Sequence, residues 1–322
     1  MIKKENGSIL KNSALACLFS LITVLPTVLR AEEGGSGHYF PGSISSFIDG
    51  VPAEETMVAR YNLLSYSGER EVGQPLPIAG VKAIGAEADS MAHGITLLWR
   101  PAWNPGDKLS FAMNATIPYV TLDVEADVTT VKNATIRKKD SIDGLGDIVL
   151  MPLMLNYTIT KDFSINGRVA AYAPTGDYEK GRLANAGKNY WTIEPTIGAV
   201  YLSHENGREA SLYVGADFNT ENKDTDYQTG SQIHLDGTLA QHLPVAGGLA
   251  GVGVNAFWYE QVEGDSGTGA ILGDFEGRTV GVGPVVSFVK GDVVSELKWV
   301  HETETKNRLE GDFLWLKIAK KF

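Results

Sequence analysis

The residues that could do chemistry are ionisable side chains that recur at every second position. Arg60, Arg100, Arg168, Glu194, Asp217, His234, Asp236, Glu296 and Lys298 all fall on the polar parity of alternating segments, as do Tyr172 and Tyr213. Glu296 and Lys298 are two apart, so on a strand they share a face. Such a set could hold a metal, move protons or line a water-facing surface. Catalytic readings are weak. Ser203 and His204 are adjacent and would face opposite sides of a strand, and no Gly-x-Ser-x-Gly elbow exists. The six histidines (His38, His93, His204, His234, His242, His301) are scattered. His234 and His242 share parity but would lie about 26 Å apart along a strand. No zinc-type spacing appears. The run Asp140-x-x-Asp143-Gly144-x-Gly146-Asp147 lacks calcium-loop spacing. The glycine-rich stretch 247–253 lies inside a strand pattern, not before a helix, so it reads as neither a phosphate loop nor a dinucleotide fingerprint. The sequence therefore predicts a protein that is not an enzyme, with no cofactor and no metal, whose charges line an interior.

The elements that must position these residues are strands. Twelve segments carry strand patterning: 56–66, 91–101, 107–126, 142–160, 162–174, 189–204, 208–221, 227–243, 247–262, 275–290, 292–305 and 309–322. In 109–117, Leu109, Phe111, Met113, Ala115 and Ile117 oppose Ser110, Ala112, Asn114 and Thr116. In 210–219, Leu212, Val214, Ala216 and Phe218 oppose Ser211, Tyr213, Asp217 and Asn219. The connections alternate. Short turns at 104–107, 160–162, 204–207, 244–247 and 290–292 carry Pro-Gly, Asn-Gly and Gly-Asp chemistry. Between them lie mostly long polar links at 67–90, 127–141, 174–188, 221–227 and 262–275, and a short one at 305–309. Short and long connections alternating over an even strand count predict an all-β, closed antiparallel barrel that crosses a membrane, with periplasmic termini. On that reading the apolar parity faces lipid and the polar parity faces the lumen.

Composition agrees. The chain of 322 residues opens with Lys3, Lys4 and Lys11, continues through an apolar stretch from Ala14 to Leu29, and reaches Ala31 before Glu32-Glu33. Residues 1–31 thus read as a secretory signal. Removing it leaves 24 basic against 38 acidic residues, a net charge of −14. That balance argues against nucleic acid as a partner. The lone cysteine, Cys17, lies in the signal, which leaves no disulfide and no thiolate site afterwards. No later segment is long and apolar enough for a membrane helix, so a membrane-spanning chain must close its strands into a barrel. The outer membrane of a Gram-negative bacterium is the expected location. Its lipid is an expected partner. The alternating run Leu314, Leu316, Ile318 closes on Phe322; in this aromatic-terminated last strand the chain resembles outer-membrane β-barrels, and the resemblance implies the barrel assembly machinery as a further partner, with terminal Phe322 as the assembly signal.

Three further features bear on function. Residues 32–55 are turn-rich and partly apolar, and read as a periplasmic leader or a plug ahead of the 56–322 barrel. Leu98, Leu150, Met154 and Val285 are apolar at positions assigned to the lumen. With Tyr172, Tyr213 and Phe40 they would form a track for hydrophobic solutes. Pro152, Pro195 and Pro284 interrupt strands, where each removes a ladder hydrogen bond and marks a kink, a bulge or a lateral opening. Aromatics near strand ends, including Trp99, Trp103, Tyr119, Tyr157, Tyr190, Trp191, Tyr201, Trp258, Tyr259, Trp299 and Trp315, read as interfacial girdles.

Five stretches occur in order: Gly144-Leu145-Gly146-Asp147, Ala173-Pro174-Thr175-Gly176-Asp177-Tyr178, Asn185-Ala186-Gly187-Lys188-Asn189-Tyr190-Trp191, Tyr227-Gln228-Thr229-Gly230 and Gly311-Asp312-Phe313-Leu314-Trp315. With them the chain resembles the outer-membrane family named after the phenol meta-cleavage degradation pathway. The resemblance implies a transport barrel that admits small hydrophobic, aromatic compounds. The alternatives are a structural or adhesive surface barrel with a blocked lumen and, with less support, an outer-membrane hydrolase.

Overall fold

The computed structural model describes residues 35–79, 81–103, 105–129, 135–270 and 276–322. The proposed signal, its cleavage point and Cys17 lie outside them. Among the described residues the strands are β1 (Thr56–Ile78), β2 (Val81–Arg100), β3 (Leu109–Thr129), β4 (Thr135–Leu145), β5 (Ile148–Thr160), β6 (Phe163–Ala173) and β7 (Thr192–Leu202). They continue with β8 (Arg208–Asn219), β9 (Gln232–Val245), β10 (Gly248–Gln261), β11 (Arg278–Lys290), β12 (Val293–Lys306) and β13 (Glu310–Lys321).

Each strand pairs antiparallel with its neighbours, and β13 returns to β1 (Val58↔Lys321 through Glu69↔Glu310) to close the ring. The upper half of β3 pairs with β4 (Tyr119↔Leu145 to Thr129↔Thr135) and its lower half with β5 (Leu109↔Tyr157 to Thr116↔Val149). β4 and β5 are therefore two pieces of one stave, broken at Gly146-Asp147. Thirteen strands make a closed barrel of twelve staves, as the sequence predicts.

The alternation that defines the strands also sorts their faces. Ile95, Leu97, Ile197, Leu239 and Val252 point outward and are more than half exposed. A continuous apolar outer surface of this kind is stable only against lipid or another apolar partner. Trp99, Trp103, Tyr119, Tyr157, Trp191 and Trp299 lie on the same outer surface.

The structure corrects the expected loops at 67–90 and 127–141. β1 and β2 continue over 67–78 and 81–90 as a ladder (Ser67↔Asp89, Glu69↔Glu87), and β3 with β4 does the same over 127–129 and 135–141. Their polar outer residues and small inner residues weaken the apolar signal, so alternation is lost to the eye. The inner residues Leu76, Ile78, Ala83, Ala86, Ala88, Val124, Ala126 and Val128 pack with Leu183 and Ala184 into a small core of their own. The wall from β1 to β4 thus stands higher than the rest of the ring. Each proline departs from regular pairing. Pro195 and Pro284 each pair with one neighbour only, and Pro152 falls in a bulge of the β5–β6 ladder.

Candidate functional site: the barrel interior

Residues 35–55 run inside the ring. Near the long-connection end, Ser36 accepts a hydrogen bond from Lys188 (2.8 Å). The chain then descends through a single 3-10 turn, Phe47–Asp49, and enters β1 at the short-turn end, where Thr56 donates to the Phe322 carbonyl (3.2 Å). Two local features shape this path. The Asp49 carboxylate caps its own turn by accepting from the Ser45 and Ser46 amides (2.9 and 3.3 Å). Turn-forming Pro41-Gly42 lies upstream, with Gly42 at φ +80°.

The polar half of the wall holds this segment. Asp49 takes Lys317 on both oxygens (2.7 Å each) and Arg60 on one (3.0 Å). Burial alone would raise its carboxyl, but the Lys317 ammonium, with Arg60 and Lys298, holds it well below the usual carboxylate range. Arg168 donates to the Asp49 carbonyl (2.9 Å) and stacks over the ring of Tyr213, whose hydroxyl donates to the Ser46 carbonyl (3.1 Å). Ser46 donates to Glu296, and Lys298 donates to Ser45 (2.6 Å). Glu209 accepts from the Phe47 amide (2.8 Å), and the Trp315 indole donates to the Pro41 carbonyl (3.1 Å). Higher up, Tyr39 donates to Asp236, which also accepts from the Gly42 amide (2.7 Å). The Tyr39 ring stacks on His234, with centroids 3.6 Å apart.

The other half of the wall differs. Leu64, Ala88, Ala92, Leu98, Val120, Leu122, Val124, Met151 and Met154, on β1 to β5, face a cavity of about 340 Å³. Phe40, Ile44 and Ile48 of the internal segment line its opposite side. The segment therefore makes most of its polar bonds to β6–β13 and to Arg60 of β1, while Phe40, Ile44 and Ile48 turn apolar atoms toward the cavity.

The break between β4 and β5 is where three of the sequence motifs meet. Asp147 accepts from the amides of Thr175 (2.9 Å), Gly176 (2.8 Å) and Lys188 (2.6 Å), and pairs with His38 Nε2 (2.8 Å). The Asp177 amide donates to the Leu145 carbonyl, and the Asp177 carboxylate accepts from the Leu145 amide (2.8 and 3.1 Å). The 174–188 link thereby stands in for a neighbouring strand along the end of β4. A Cβ on Gly176 would sit 2.7 Å from the Gly187 Cα, so this crossing needs glycine on backbone grounds.

Every charged residue assigned to the lumen from parity lies inside the barrel. Arg60, Arg168, Glu296 and Lys298 meet residues 45–49 of the internal segment; Asp236 meets Tyr39 and Gly42. Glu194, Asp217 and His234 come together separately. Arg100 is buried at the short-turn end and donates to the Pro101 carbonyl. Tyr172 donates to Glu194 (2.5 Å).

Four assignments change. Leu150 is 42% exposed on the outer face, because the bulge between Leu150 and Leu153 shifts the parity and turns both Met151 and Met154 inward. Trp315, Tyr190 and Tyr259 are buried rather than in an outer girdle. Sequence reasoning missed Lys317, Glu209 and Asp49 as lumen residues. The strict alternation of Leu314, Leu316 and Ile318 around Lys317 was the signal that could have found the first.

The family model described as "Putative MetA-pathway of phenol degradation" matches residues 79–318. The chain belongs to this phenol-degradation family. The resemblance read from the motifs is thus upheld. Among solved structures, this family member is similar to the COG4313 outer membrane channel from Pseudomonas putida F1. The two are 16% identical over 88% of this chain and 100% of that chain, with a TM-score of 0.65. The match shows a shared fold. The β domain of the Bordetella autotransporter BrkA is 9% identical over 84% and 100% of the two chains, with a TM-score of 0.47. The translocator domain of autotransporter NalP from Neisseria meningitidis is 9% identical over 85% and 90%, with a TM-score of 0.46. A sequence comparison with curated proteins found no match.

Proposed function

We propose that this protein is an outer-membrane channel through which small hydrophobic, aromatic compounds diffuse along the β1–β5 wall. The observation that carries the reading is the two-sided lumen. Much of the polar wall is consumed by the internal segment, and the remaining space is mostly apolar. Pockets for such solutes are mostly apolar with few polar anchors. Asn62, Thr96, Asn114 and Thr116 supply those anchors here. The similar Pseudomonas protein is described as an outer membrane channel, which supports the same class of function. On this reading residues 35–55 act as a plug that narrows the lumen and leaves a hydrophobic path. The short turns face the periplasm and the long connections face outward.

The test is uptake of labelled toluene-like, phenolic and alkane solutes at low concentration by cells with and without the protein. A Met154→Arg variant puts a charge into the apolar wall. Faster entry of one solute class with the wild type, lost in the variant, is the expected result. Equal entry for every solute would sink the reading and move the weight to a surface barrel with a blocked lumen.

A further inference from the structure

Away from the apolar path, three residues on adjacent strands meet inside the wall. Glu194 on β7, Asp217 on β8 and His234 on β9 each offer a ligand atom, and these atoms lie within 4.8 Å of one another. All three are at most 1% exposed. The ladder explains the meeting. Gly215 pairs with Thr196 on one side and His234 on the other, and two residues along β8 Asp217 follows on the same face. A Cβ on Gly215 would lie 2.2 Å from His234 Nε2, so glycine there makes room for the imidazole.

The two nitrogens of His234 have different surroundings. Nδ1 lies 3.3 Å from Asp236. Nε2 is buried, points toward Glu194 Oε1 at 3.6 Å, and has no hydrogen-bond partner. A proton between them would draw the atoms to about 2.7–3.2 Å. Two ligands bound about 2.0–2.1 Å from a tetrahedral ion stand roughly 3.3 Å apart, closer to what is observed. The surrounding bonds suit a metal as well. Asp236 fixes the imidazole with its Nε2 lone pair inward, the usual outer partner of a ligating histidine. Tyr172 and Thr196 donate to the two Glu194 oxygens (2.5 and 2.8 Å) and orient that carboxylate. A divalent ion would neutralise the two carboxylates, and Asp236 would keep its donors from Tyr39 and Gly42.

We infer that Glu194, Asp217 and His234 form a binding site for a divalent transition-metal ion of the zinc class, buried in the barrel wall beneath Tyr39. One nitrogen and two carboxylate oxygens are a zinc-type donor set with room for a further ligand. Tyr172 stands between the cavity, which it lines, and this cluster, where its hydroxyl donates to Glu194. Bound in the cluster, the ion ties three strands together under the ring on which the plug rests.

The experiment uses the full protein in detergent, stripped with chelator and then equilibrated with Zn²⁺ or Co²⁺ alone. Metal is counted after gel filtration, and heat-dependent gel mobility reports the folded barrel. The expected result is retention of about one Zn²⁺ per chain, weakened at least ~10-fold in His234→Gln and in Glu194→Gln. Substituting His204 and His301, which pair with Asp162 and Asp312 on the outside, leaves it unchanged. Should a variant fail to fold, the wild-type spectra decide. A four- or five-coordinate Co²⁺ absorption and a zinc edge showing one imidazole among oxygen ligands support the site. No retained metal, or a site with several imidazoles, overturns it, as does unchanged retention in a folded His234→Gln variant.

Discussion

Replacing Asp49 by alanine tests whether the internal segment is held electrostatically. In the docked state the Lys317 ammonium is 1% exposed and has both Asp49 oxygens at 2.7 Å, with Glu296 at 3.7 Å. Deleting one partner of a buried pair costs about 3–5 kcal/mol, because the remaining charge stays buried, here with only the more distant Glu296 facing it. When the segment leaves, water reaches Lys317, so the loss falls on docking rather than on the barrel. The ratio of docked to released segment should therefore drop by roughly two to three and a half orders of magnitude. Single-channel recording in planar bilayers reads the release as frequent, larger ion-conducting openings, and limited proteolysis reads it as cutting between residues 40 and 50. The double variant Asp49→Ala/Lys317→Met removes both charges and should return most of the quiet behaviour, since losing both partners of a buried pair is close to neutral. Conductance and cleavage indistinguishable from wild type in Asp49→Ala would refute the reasoning. So would a double variant as leaky as the single one.

Acid provides an independent check on the same carboxylate. Its docked value is depressed, so its contribution is complete above the ordinary carboxylate value of about 3.9 and is lost as pH falls through the lower docked value. The channel should stay quiet from pH 7 to about pH 4 and open only below; recordings that open near neutrality would contradict this. Gly176→Ala forces a Cβ to within 2.7 Å of Gly187 and 2.8 Å of the Gly146 carbonyl carbon, both backbone. It should cost about 1–3 kcal/mol or more and lower the gel-shift temperature. Gly167→Ala, with nothing within 4 Å, should leave that temperature unaltered. Tyr39→Phe removes the hydroxyl that donates to Asp236 and should speed proteolysis of the segment by a smaller factor than Asp49→Ala, since one hydrogen bond to a charged group contributes about 1.5–3 kcal/mol.

Parity carried the reading of the barrel and its lumen a long way. Arg60, Glu194, Asp236 and Lys298 could be placed inside because a strand's period of two leaves no freedom once one face is apolar. It failed where the period itself breaks. The bulge after Leu150 resets the count; Pro152 flags an irregularity there, but nothing in Leu150-Met151-Pro152-Leu153 tells a bulge from a kink or an opening. The tall ladder of β1 to β4 was invisible for another reason. Its inner face is built of alanines such as Ala83, Ala86 and Ala88, whose small apolar area hardly differs from a loop's. The meeting of His234 with Glu194 and Asp217 depends on the register of three strands, and residue spacing along one chain carries no such information. The convergence on Asp147 is similar. The motifs around Gly146, Gly176 and Gly187 can be read one by one, but their common purpose appears only when the broken stave brings them together.

The division of the lumen into a bonded half and an oily half has an electrical consequence. Where Leu98, Met151, Met154, Ile44 and Phe40 face the gap, between the few polar anchors, water finds few partners and the stretch dries readily. An ion entering it would surrender hydration and receive little in return, a loss of several kcal/mol even after the surroundings relax. A benzene ring gives up nothing of the kind. On the proposed function, the same few side chains would hold back ions while passing uncharged molecules, with no moving gate needed for the distinction.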